Sequence, residues 1–564
     1  MSFTPLFNQI GFYPDAPKTV IIPGSSSFPL EVFDDCHRVL AVKPQATGVW
    51  PYSGEMVQRF DLSHLKKTGT YYLYRDEKNL GLSLVVDKMA YQQLAKGSLK
   101  WFYYQRASMA LEPEYAGKWS RAAGHKDDCV KVYGDPARLI CASKGWYDAG
   151  DYGKYIVNCG ITVFTLLQIF EDFPEYAKTL KWNIPRDEQI PSLPDLLCEI
   201  KYNLDWMLSM QDSDGSVFHK LTALKFCPHY APDLDTADRY VIGKTTTAAL
   251  NFAGNMAQAS LIYSKYDEEY AKRMLLAAEK AWVWAKKHPT EFYRQPSDVN
   301  TGQYTPLGEN GKPSFKFAAV ELFRATGKQE YLEELNSNPL NEDPPWWGNL
   351  NLLAVYHVAR NESDENKSGK NKAGGHVPYK FPEPLVQKAR EILLQKAYHL
   401  CDVSKNSIYH VAMNPEDWTW GSNAVACNNG IIFLQGFYLT KNLEYLHAAH
   451  QILDYILGKN PLDICYVTGF GKRSPLHPHH RPSEGDNIEE PVPGMMAGGP
   501  HLGGQDVKRE PDRVPDYTLC GKPALAYLDH EASFATNEVA INWNAPLAYL
   551  ATALDAIYNL KTHT

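Results

Sequence analysis

The chain has 564 residues, which exceeds one ordinary hydrophobic core and predicts two domains or one large helical domain with an addition. Its 57 basic and 65 acidic residues give a formal charge of −8 without a basic block, which argues against nucleic acid as a partner. No run of about eighteen apolar residues occurs, so we expect no membrane-spanning helix and no membrane partner.

The first residues and the cysteines predict a reducing compartment. Residues 1–6 lack the charged and apolar regions of a secretory signal, which predicts a cytoplasmic location; a trimmed leader would instead make the protein secreted or periplasmic. The ten cysteines form no C-x-x-C pair and are expected to be free, mostly buried thiols. The sequence carries no signal of oligomeric state.

Residues 1 to about 86 predict a small β-domain. Short apolar runs such as 19–22 and 69–74 alternate with Pro, Gly, Ser and Asp, a pattern typical of an antiparallel sandwich. The segment carries no residues that indicate chemistry of its own. Sugar binding is one alternative, but the lack of a planar aromatic set favours a scaffold packed against a larger domain.

From about residue 90, apolar residues recur at intervals of three and four, which predicts helices. The predicted helices cover residues 91–110, 156–173, 194–210, 245–265, 268–287, 315–325, 346–358, 383–401, 420–439, 443–457 and 533–560, with a short one near Glu330. About twelve helices fit any large helical domain or a solenoid, although no fixed-period repeat supports the solenoid. Two long Pro/Gly-rich loops, 289–313 and 465–527, are expected to form a functional cleft.

One short run suggests chemistry. Residues 145–155 read Gly-Trp-Tyr-Asp-Ala-Gly-Asp-Tyr-Gly-Lys-Tyr and place Asp148 and Asp151 three residues apart among glycines and aromatic rings. Aromatic faces pack against the C–H groups of pyranose rings, and a carboxylate held beside them can take a proton from water. Because Asp also caps helices and Gly-Asp pairs form turns, the run alone fits catalysis and turn formation equally.

Two further segments carry a family resemblance. Residues 527–545 contain an aromatic-x-Asp, a second aromatic residue, Glu538-x-Ala and Asn544-Ala, and every defined position resembles the C-terminal active-site pattern of glycoside hydrolase family 9. Residues 466–481, which end in Pro-His-His-Arg, resemble the other pattern of that family. Cys465 stands there in place of a small Ser, Thr or Val, a departure that we attribute to packing.

The resemblance implies a multidomain fold. Residues 8–14 and 81–87 resemble the immunoglobulin-like module that precedes the catalytic domain in part of family 9. We therefore expect an N-terminal immunoglobulin-like β-sandwich at residues 1–87. An all-α (α/α)6 barrel, with six inner and six outer helices, is expected at residues 88–564.

The same resemblance implies an inverting glycoside hydrolase with three functional carboxyl groups. Glu538 would be the general acid, which needs a raised pKa, and Asp151 the general base on the attacking water. Asp148 would hold that water or orient Asp151. An ordinary surface position within a helix is the alternative for Glu538, and a turn former is the alternative for Asp148.

Several residues are candidates for substrate binding. His479 and Arg481 resemble the substrate-contacting pair of the family, donors suited to sugar hydroxyls, and a structural arginine is the alternative for Arg481. Tyr152 in the first carboxylate run is a further candidate. Four tryptophans are candidate sugar platforms, although each fits core packing equally well. They are Trp346, Trp347, Trp420 and Trp543. Many cellulases of the family have Tyr in place of Trp543 and Asp in place of Asn542.

Two metal sites that are often found in the family lack their ligands here. The zinc site uses a Cys-His pair where this chain has Gly124 and His125, so His125 has no thiolate beside it. The calcium site uses an Asp-Glu pair just before an apolar helix, where Pro313 and Ser314 offer no carboxylate. We expect no metal and no other cofactor.

The expected partner is a short β-1,4-linked oligosaccharide, because a cytoplasmic enzyme would meet imported fragments, which suits exo attack from the non-reducing end. Residues 145–152 and 540–546 resemble a bacterial branch that includes cellodextrinases and exo-β-glucosaminidases, and of these we slightly favour exo-β-glucosaminidase. A glucosaminide carries a 2-ammonium group that needs a carboxylate, for which Asp148 and Glu531 are candidates.

Two other functions stay open. Endo-β-1,4-glucanase, a cellulase activity, is the alternative if a leader has been trimmed. A carbohydrate-binding protein that has lost catalysis is more remote, because the sequence retains both Asp151 and Glu538.

Overall fold

The computed structural model describes residues 4–35, 37–305, 311–360 and 378–561, and its first seven strands form two antiparallel sheets. The strands are β1 (Thr19–Pro23), β2 (Leu30–Phe33), β3 (Arg38–Val42), β4 (Ala46–Val49), β5 (Met56–Asp61), β6 (Gly69–Arg75) and β7 (Lys78–Val86). One sheet has the order β1-β5-β4 and the other the order β3-β2-β6-β7. The predicted antiparallel β-domain is confirmed.

Alternating side chains build the core between these two sheets. Val20 and Ile22 of β1 are fully buried, and they share one apolar cluster with Leu73 of β6 and Leu84 of β7. Successive strand residues face opposite sides, so one face of each sheet turns inward. The two sheets therefore pack on each other as a sandwich.

Twelve helices of nine or more residues follow within the described ranges. They are α1 (Gln92–Tyr104), α2 (Ile156–Asp172), α3 (Asp195–Ser209), α4 (Thr246–Tyr263), α5 (Glu268–Lys287), α6 (Lys312–Thr326), α7 (Gln329–Ser337), α8 (Asn351–Ala359), α9 (Glu383–Asn406), α10 (Ser422–Thr440), α11 (Leu443–Ile456) and α12 (Ile541–Lys561). Most follow the predicted ranges to within a few residues.

Burial differs between neighbouring helices. All 18 residues of α4 are buried, whereas α5 buries 9 of its 20 residues along one face. The same contrast separates α8, which is completely buried, from α9. A helix that is apolar all round lies inside, and a helix with one apolar face lies outside. The even-numbered helices contact one another in the order α10-α12-α2-α4-α6-α8, and α9 contacts both α8 and α10.

The final predicted helix is wrong at its start. A short helix covers Phe534–Asn537, α12 begins only at Ile541, and Glu538 between them has an extended backbone with φ −68° and ψ 157°. The helix is interrupted because neighbouring loops bond this stretch: the Gly498 amide donates to the Glu538 carbonyl at 2.8 Å. Glu538 is therefore not an ordinary position on a helix surface.

A five-stranded sheet inside the helical region was not predicted. Its strands are β8 (Val130–Val132), β9 (Asp135–Ile140), β10 (Lys154–Tyr155), β11 (Phe218–Ala223) and β12 (Arg239–Lys244), in the order β10-β11-β12-β8-β9. The two-residue strand β10 follows Asp151 closely and leads directly into α2. This sheet therefore fixes the chain just after the first carboxylate run.

The strand-rich and helical regions are joined by buried polar and aromatic contacts. Asn8 donates to the Asp454 carboxylate at 2.8 Å and to the Tyr91 hydroxyl at 3.0 Å. The ring of Trp50 lies 4.3 Å from that of Tyr409.

Among the residues in the described ranges, no helix is long and apolar enough to cross a membrane, and the nine cysteines there are free.

Candidate active site

The first carboxylate run forms a tight, buried loop in front of β10. The Asp148 amide donates to the Gly153 carbonyl at 2.9 Å, which closes the loop. Both Asp148 and Asp151 are buried, with 1% and 6% of their surface exposed. Burial of two carboxyl groups in one loop requires specific partners for each.

Asp151 has two such partners on one carboxylate oxygen. The Gly153 amide donates to Oδ2 at 2.9 Å, and the Tyr155 hydroxyl donates to the same oxygen at 3.1 Å. Hydrogen bonds of this kind stabilise the charged form of a carboxylate. Oδ1 accepts no hydrogen bond from the described residues, so it is the oxygen available to a water molecule.

Asp148 is held on both of its oxygens. Asn158, in the first turn of α2, donates to Oδ1 at 2.8 Å, and the Tyr304 hydroxyl donates to Oδ2. Burial and the nearby charge of Asp151 raise the pKa of Asp148 well above its usual value, although the bonds from Tyr304 and Asn158 oppose this. Asp148 is therefore a fixed neighbour of Asp151 and not a simple turn former.

Glu538 lies in the break before α12, which contacts the loop of Asp148 and Asp151. Main-chain bonds hold it on both sides: the His479 amide donates to the Asn537 carbonyl at 2.9 Å, and the Ile541 amide donates to the Asp148 carbonyl at 2.8 Å. Burial raises the pKa of Glu538 well above its usual value, and the negative charge of Asp151 adds to this effect. A carboxyl group in this setting keeps its proton to higher pH.

Arg481 ties the two sides together. Its main-chain amide and its Nη1 both donate to the Gly150 carbonyl, at 3.1 and 2.9 Å, and its Nε donates to the Cys227 carbonyl at 2.9 Å. Its positive charge opposes the rise in the pKa of Glu538. Arg481 thus has the structural role that the sequence left as an alternative, while it also lies within electrostatic reach of Glu538.

His479 has one ring nitrogen that carries no proton. Its Nδ1 contacts the Glu531 carbonyl at 2.5 Å, and a carbonyl can only accept, so Nδ1 carries the proton. Burial and the charge of Arg481 lower the pKa of His479 well below its usual value, so the ring is neutral. Nε2 is then unprotonated, which corrects the expectation that this side chain is a donor.

Tyr152 lies in the core of the protein. Only 3% of its surface is exposed, its hydroxyl donates to the Tyr230 carbonyl at 2.6 Å, and its ring packs 4.8 Å from that of Tyr147. The structure therefore leaves it no free surface for a sugar, against the sequence-based expectation.

The four candidate tryptophans are partly exposed around the carboxyl groups. Trp347 packs edge-on against Tyr304 at 5.1 Å, and Trp346 packs against Trp347 at 4.7 Å. Near the segment of Glu538, Trp420 is 39% exposed and its ring lies 5.5 Å from that of Phe534. Trp543 packs against Gly421 and Gly498, close to the Glu538 carbonyl. None of the four is fully buried.

Sequence reasoning missed several residues that contact this site. They are Tyr155, Asn158, His229 and Tyr304. Tyr155 belongs to the first carboxylate run, and Tyr304 lies in the long loop that was expected to line the cleft. The sequence therefore pointed to both segments but assigned no function to either tyrosine. His229, whose ring lies 5.0 Å from that of His479, had no local signal.

The residues at the family's two metal positions do not fit a metal. Nε2 of His125 contacts the Asp235 carboxylate at 3.2 Å and Nδ1 contacts the Tyr147 hydroxyl at 2.8 Å, so both ring nitrogens have partners. Ser314 lies buried in the first turn of α6 and supplies no carboxylate. Across the described residues, no group of three or more His, Cys, Asp and Glu side chains could hold a metal ion.

Comparison with known proteins identifies the family. The family model described as glycosyl hydrolase family 9 matches residues 91–551, and that of a cellulase N-terminal Ig-like domain matches residues 6–79. The chain is 37% identical to a xyloglucan-specific endo-β-1,4-glucanase, BoGH9A, of Bacteroides ovatus, over 98% of this chain and 94% of that one. It is 30% identical to a cellodextrinase of Butyrivibrio fibrisolvens, over 97% and 99% of the two chains.

A solved structure agrees. The Bacteroides ovatus GH9 structure superposes with a TM-score of 0.88 at 35% identity, covering 99% of this chain and all of that one. The chain thus belongs to glycosyl hydrolase family 9, carries an N-terminal Ig-like domain, and is a glycoside hydrolase.

Proposed function

We propose that this protein is an inverting hydrolase of β-1,4-glucans that cleaves within the chain. The observation that supports it most is the bond of 2.8 Å from the Ile541 amide to the Asp148 carbonyl, which brings the segment of Glu538 against the loop of Asp151 although the two are distant in the sequence. Acid–base glycoside cleavage requires two such carboxyl groups, one to protonate the leaving oxygen and one to activate water.

The roles follow from the environments. Glu538, whose pKa is raised, protonates the leaving oxygen. Asp151 takes a proton from the attacking water with the oxygen that Gly153 and Tyr155 leave free, and Asp148 fixes the position of Asp151 and the water. Water attacks the face of the sugar opposite to the leaving group, so the anomeric configuration inverts.

Two observations favour a glucan over a glucosaminide. The carboxylates considered for a 2-ammonium group already have partners: Asp148 accepts from Asn158 and Tyr304, and Glu531 contacts Arg513 at 3.3 Å and His530 at 3.1 Å. The two curated relatives described above are named as an endo-β-1,4-glucanase and a cellodextrinase. The preference for exo-β-glucosaminidase therefore finds no support, and its alternative, endo-β-1,4-glucanase, becomes the proposal.

The architecture that we propose for this function divides the chain at residues 87 and 88. Residues 88–564 would form an (α/α)6 barrel, with the even-numbered helices inside and the odd-numbered helices outside. The contacts among even-numbered helices and the one-sided burial of α5 and α9 support this arrangement. The cleft would then lie at the end where α2 begins, with the four partly exposed tryptophans as sugar platforms.

The first test is product analysis with the purified protein. Its substrates would be xyloglucan, carboxymethyl-cellulose and tetramers of glucose, glucosamine and N-acetylglucosamine. We expect a rapid fall in polymer viscosity, cellobiose from the glucose tetramer, and the α-anomer as the first product by NMR. Glucosamine units released singly from the glucosamine tetramer would instead establish an exo-β-glucosaminidase.

Asp151→Asn and Glu538→Gln are the matched negative variants, and Asp212→Asn is the control. Asp212 lies outside the cleft, in ion pairs with Arg138 and Lys244. If the first two variants cleave like the wild type, the assignment of acid and base is wrong. If the wild type binds cellotetraose without cleaving it, the protein is a binding protein and not a hydrolase.

A further inference from the structure

A completely buried lysine lies behind the carboxylate loop without a carboxylate partner. Lys220 of β11 is 0% exposed, and its Nζ donates to Gln295 at 3.1 Å, to the Thr301 hydroxyl at 3.0 Å and to the Gly302 carbonyl at 2.8 Å. All three of its protons thus go to neutral acceptors. No described Asp or Glu oxygen lies within ion-pairing distance of Nζ, which is unusual for a buried lysine.

The three acceptors belong to a single loop. Gln295 also donates to the carbonyls of Val299 and Thr301, at 3.0 and 2.8 Å, so it closes the loop on itself. His219, next to Lys220 on β11, contacts the Gln303 carbonyl at 2.7 Å. Two consecutive residues of β11 therefore fasten residues 295–304 to the sheet.

This loop reaches Asp151 through Tyr155. Tyr155 lies directly opposite Lys220 in the pairing of β10 with β11, so their side chains are neighbours on one face of the sheet. The Gly302 amide donates to the Tyr155 hydroxyl at 3.1 Å, and that hydroxyl donates to Asp151 at 3.1 Å. A Cβ at Gly302 would lie 3.1–3.2 Å from the Tyr155 ring, so the approach is close.

The same loop reaches Asp148 directly. Tyr304 is the last residue of the fastened loop, has φ +48°, and donates its hydroxyl to Asp148. Its ring also packs 4.8 Å from that of Tyr155. One loop thus supplies the donor to Asp148 and, through Gly302, contacts the Tyr155 hydroxyl that donates to Asp151.

We infer that Lys220 is a positioning residue for the carboxylate pair: it fixes residues 295–304 on β11, and that loop holds the Tyr155 and Tyr304 hydroxyls on Asp151 and Asp148. The inference deepens the proposed function and rests on it only for its effect on catalysis. Burial lowers the pKa of Lys220 to about 7, and the charge of Asp151 opposes this, so the lysine lies within electrostatic reach of the pair.

The structural test does not depend on substrate. Hydrogen exchange of peptides covering residues 296–304 would be compared between wild type, Lys220→Met and Lys201→Met. Lys201 on α3 is a matched control, because its side chain is also 0% exposed but its Nζ pairs with the carboxylates of Asp187 and Asp205. We expect faster exchange of this loop in Lys220→Met only. Unchanged exchange there would overturn the inference, whatever the protein hydrolyses.

The catalytic test is a double-mutant cycle with Tyr155→Phe. We expect Lys220→Met to lower kcat on the glucan by about 10- to 100-fold with KM changed less than about threefold, because the groups are misplaced rather than lost. Since both residues act through one chain of contacts, the double variant should lose less than the product of the single losses. Independent, multiplying losses would contradict the inference.

A milder variant guards against misfolding. Thr301→Val keeps the shape of the side chain and removes one acceptor of Nζ, along with a contact to Thr222 at 3.0 Å. If Lys220→Met does not fold, Thr301→Val should still speed exchange at residues 296–304 and lower kcat in the same direction. Neither change in a stably folded Thr301→Val protein would count against Lys220 as a positioning residue.

Discussion

The loop that carries Asp148 and Asp151 and the break that carries Glu538 are built in different ways. In the aspartate loop, side chains from α2, β10 and the loop 295–304 reach the carboxylate oxygens themselves. Around Glu538, the holding contacts are made by the main chain, through the Gly498 amide and the Asn537 carbonyl. The two aspartates are thus held chiefly through bonds to their carboxylate oxygens, whereas Glu538 is held chiefly through its main chain.

The physical reason lies in the charge that each group must carry. Donors aimed at a carboxylate stabilise its negative form, which suits a group that takes a proton from water. A carboxyl group that must give a proton is better left without strong donors, so that burial and a nearby negative charge keep it neutral. Burial and the charge of Asp151 raise the pKa of Glu538, although Arg481 and a main-chain bond from Gly150 oppose the rise, while Asp151 accepts donors from Gly153 and Tyr155.

We expect the largest effect on kcat from the two carboxyl variants, and its dependence on the leaving group of the substrate should distinguish the proposed acid from the proposed base. Glu538→Gln should lower kcat on cellotetraose by about 10²- to 10⁴-fold, but far less on an aryl cellobioside whose leaving group needs no proton. Asp151→Asn should lower kcat by a similar factor on both substrates, because both need an activated water. Steady-state rates on the two substrates measure this, and equal losses for both variants would erase the distinction.

A smaller effect should follow from removing one donor on the aspartate side. Tyr304→Phe removes the hydroxyl that opposes the rise in the pKa of Asp148, so that pKa should rise further. We expect kcat to fall about 10- to 100-fold, the value of a hydrogen bond to a charged group. The acidic limb of the kcat profile should move to higher pH. Tyr71→Phe, which removes a hydroxyl bound to Lys67 in the N-terminal sandwich, is the control and should change neither.

The proposed role of Glu538 as the acid is tested by the basic limb of the pH profile of kcat/KM. Activity should be lost as the pH rises through the pKa of Glu538, which lies above its usual value, because deprotonated Glu538 cannot give a proton. The charge of Arg481 lowers that pKa, so Arg481→Gln should move the basic limb of kcat/KM to higher pH. Arg481→Lys retains the charge and should leave the limb nearly in place. A limb that moves equally in both variants would mean that the lost contacts to Gly150 and Cys227, and not the charge, set it.

The smallest effect should come from a sugar platform. Trp420→Ala should raise KM for a long glucan by about fivefold, the equivalent of about 1 kcal/mol of ring contact, with little change in kcat. Tyr398→Ala is a suitable control, since Tyr398 is 70% exposed on α9. Initial rates on carboxymethyl-cellulose measure both. An unchanged KM in Trp420→Ala would remove this residue from the substrate path.

The long helices of the fold could be predicted from the sequence. The apolar repeats of three and four located the helices because a long amphipathic segment has many residues that report on one structure. The strand β10 could not be found in this way, since Lys154 and Tyr155 gain their partners only from β11, more than sixty residues later. The break at Glu538 was also hidden, because distant loops and not local propensity interrupt that helix.

The candidate site shows the same division. The sequence singled out Asp148, Asp151 and Glu538 by motif, and the fold brings their segments together through the bond from the Ile541 amide to the Asp148 carbonyl. The sequence could not predict which residues bond these carboxyl groups. A tyrosine packed in the core, such as Tyr152, cannot be distinguished by sequence from one that donates to a carboxylate, such as Tyr304. The position of the proton on His479 depends on the contact of its Nδ1 with the Glu531 carbonyl, so the sequence could not predict it either.

Gly150 shows how the loop of Asp151 is held against His479, which itself pairs with the chain at Glu538. A Cβ at this position would overlap the His479 carbonyl oxygen, and the Gly150 carbonyl accepts twice from Arg481, so the two segments touch through their backbones. None of these contacts involves the side chains of Asp151 or Glu538. Their amide variants should therefore retain an intact cleft that holds an uncleaved glucan, and they would serve as capture reagents for the natural polysaccharide.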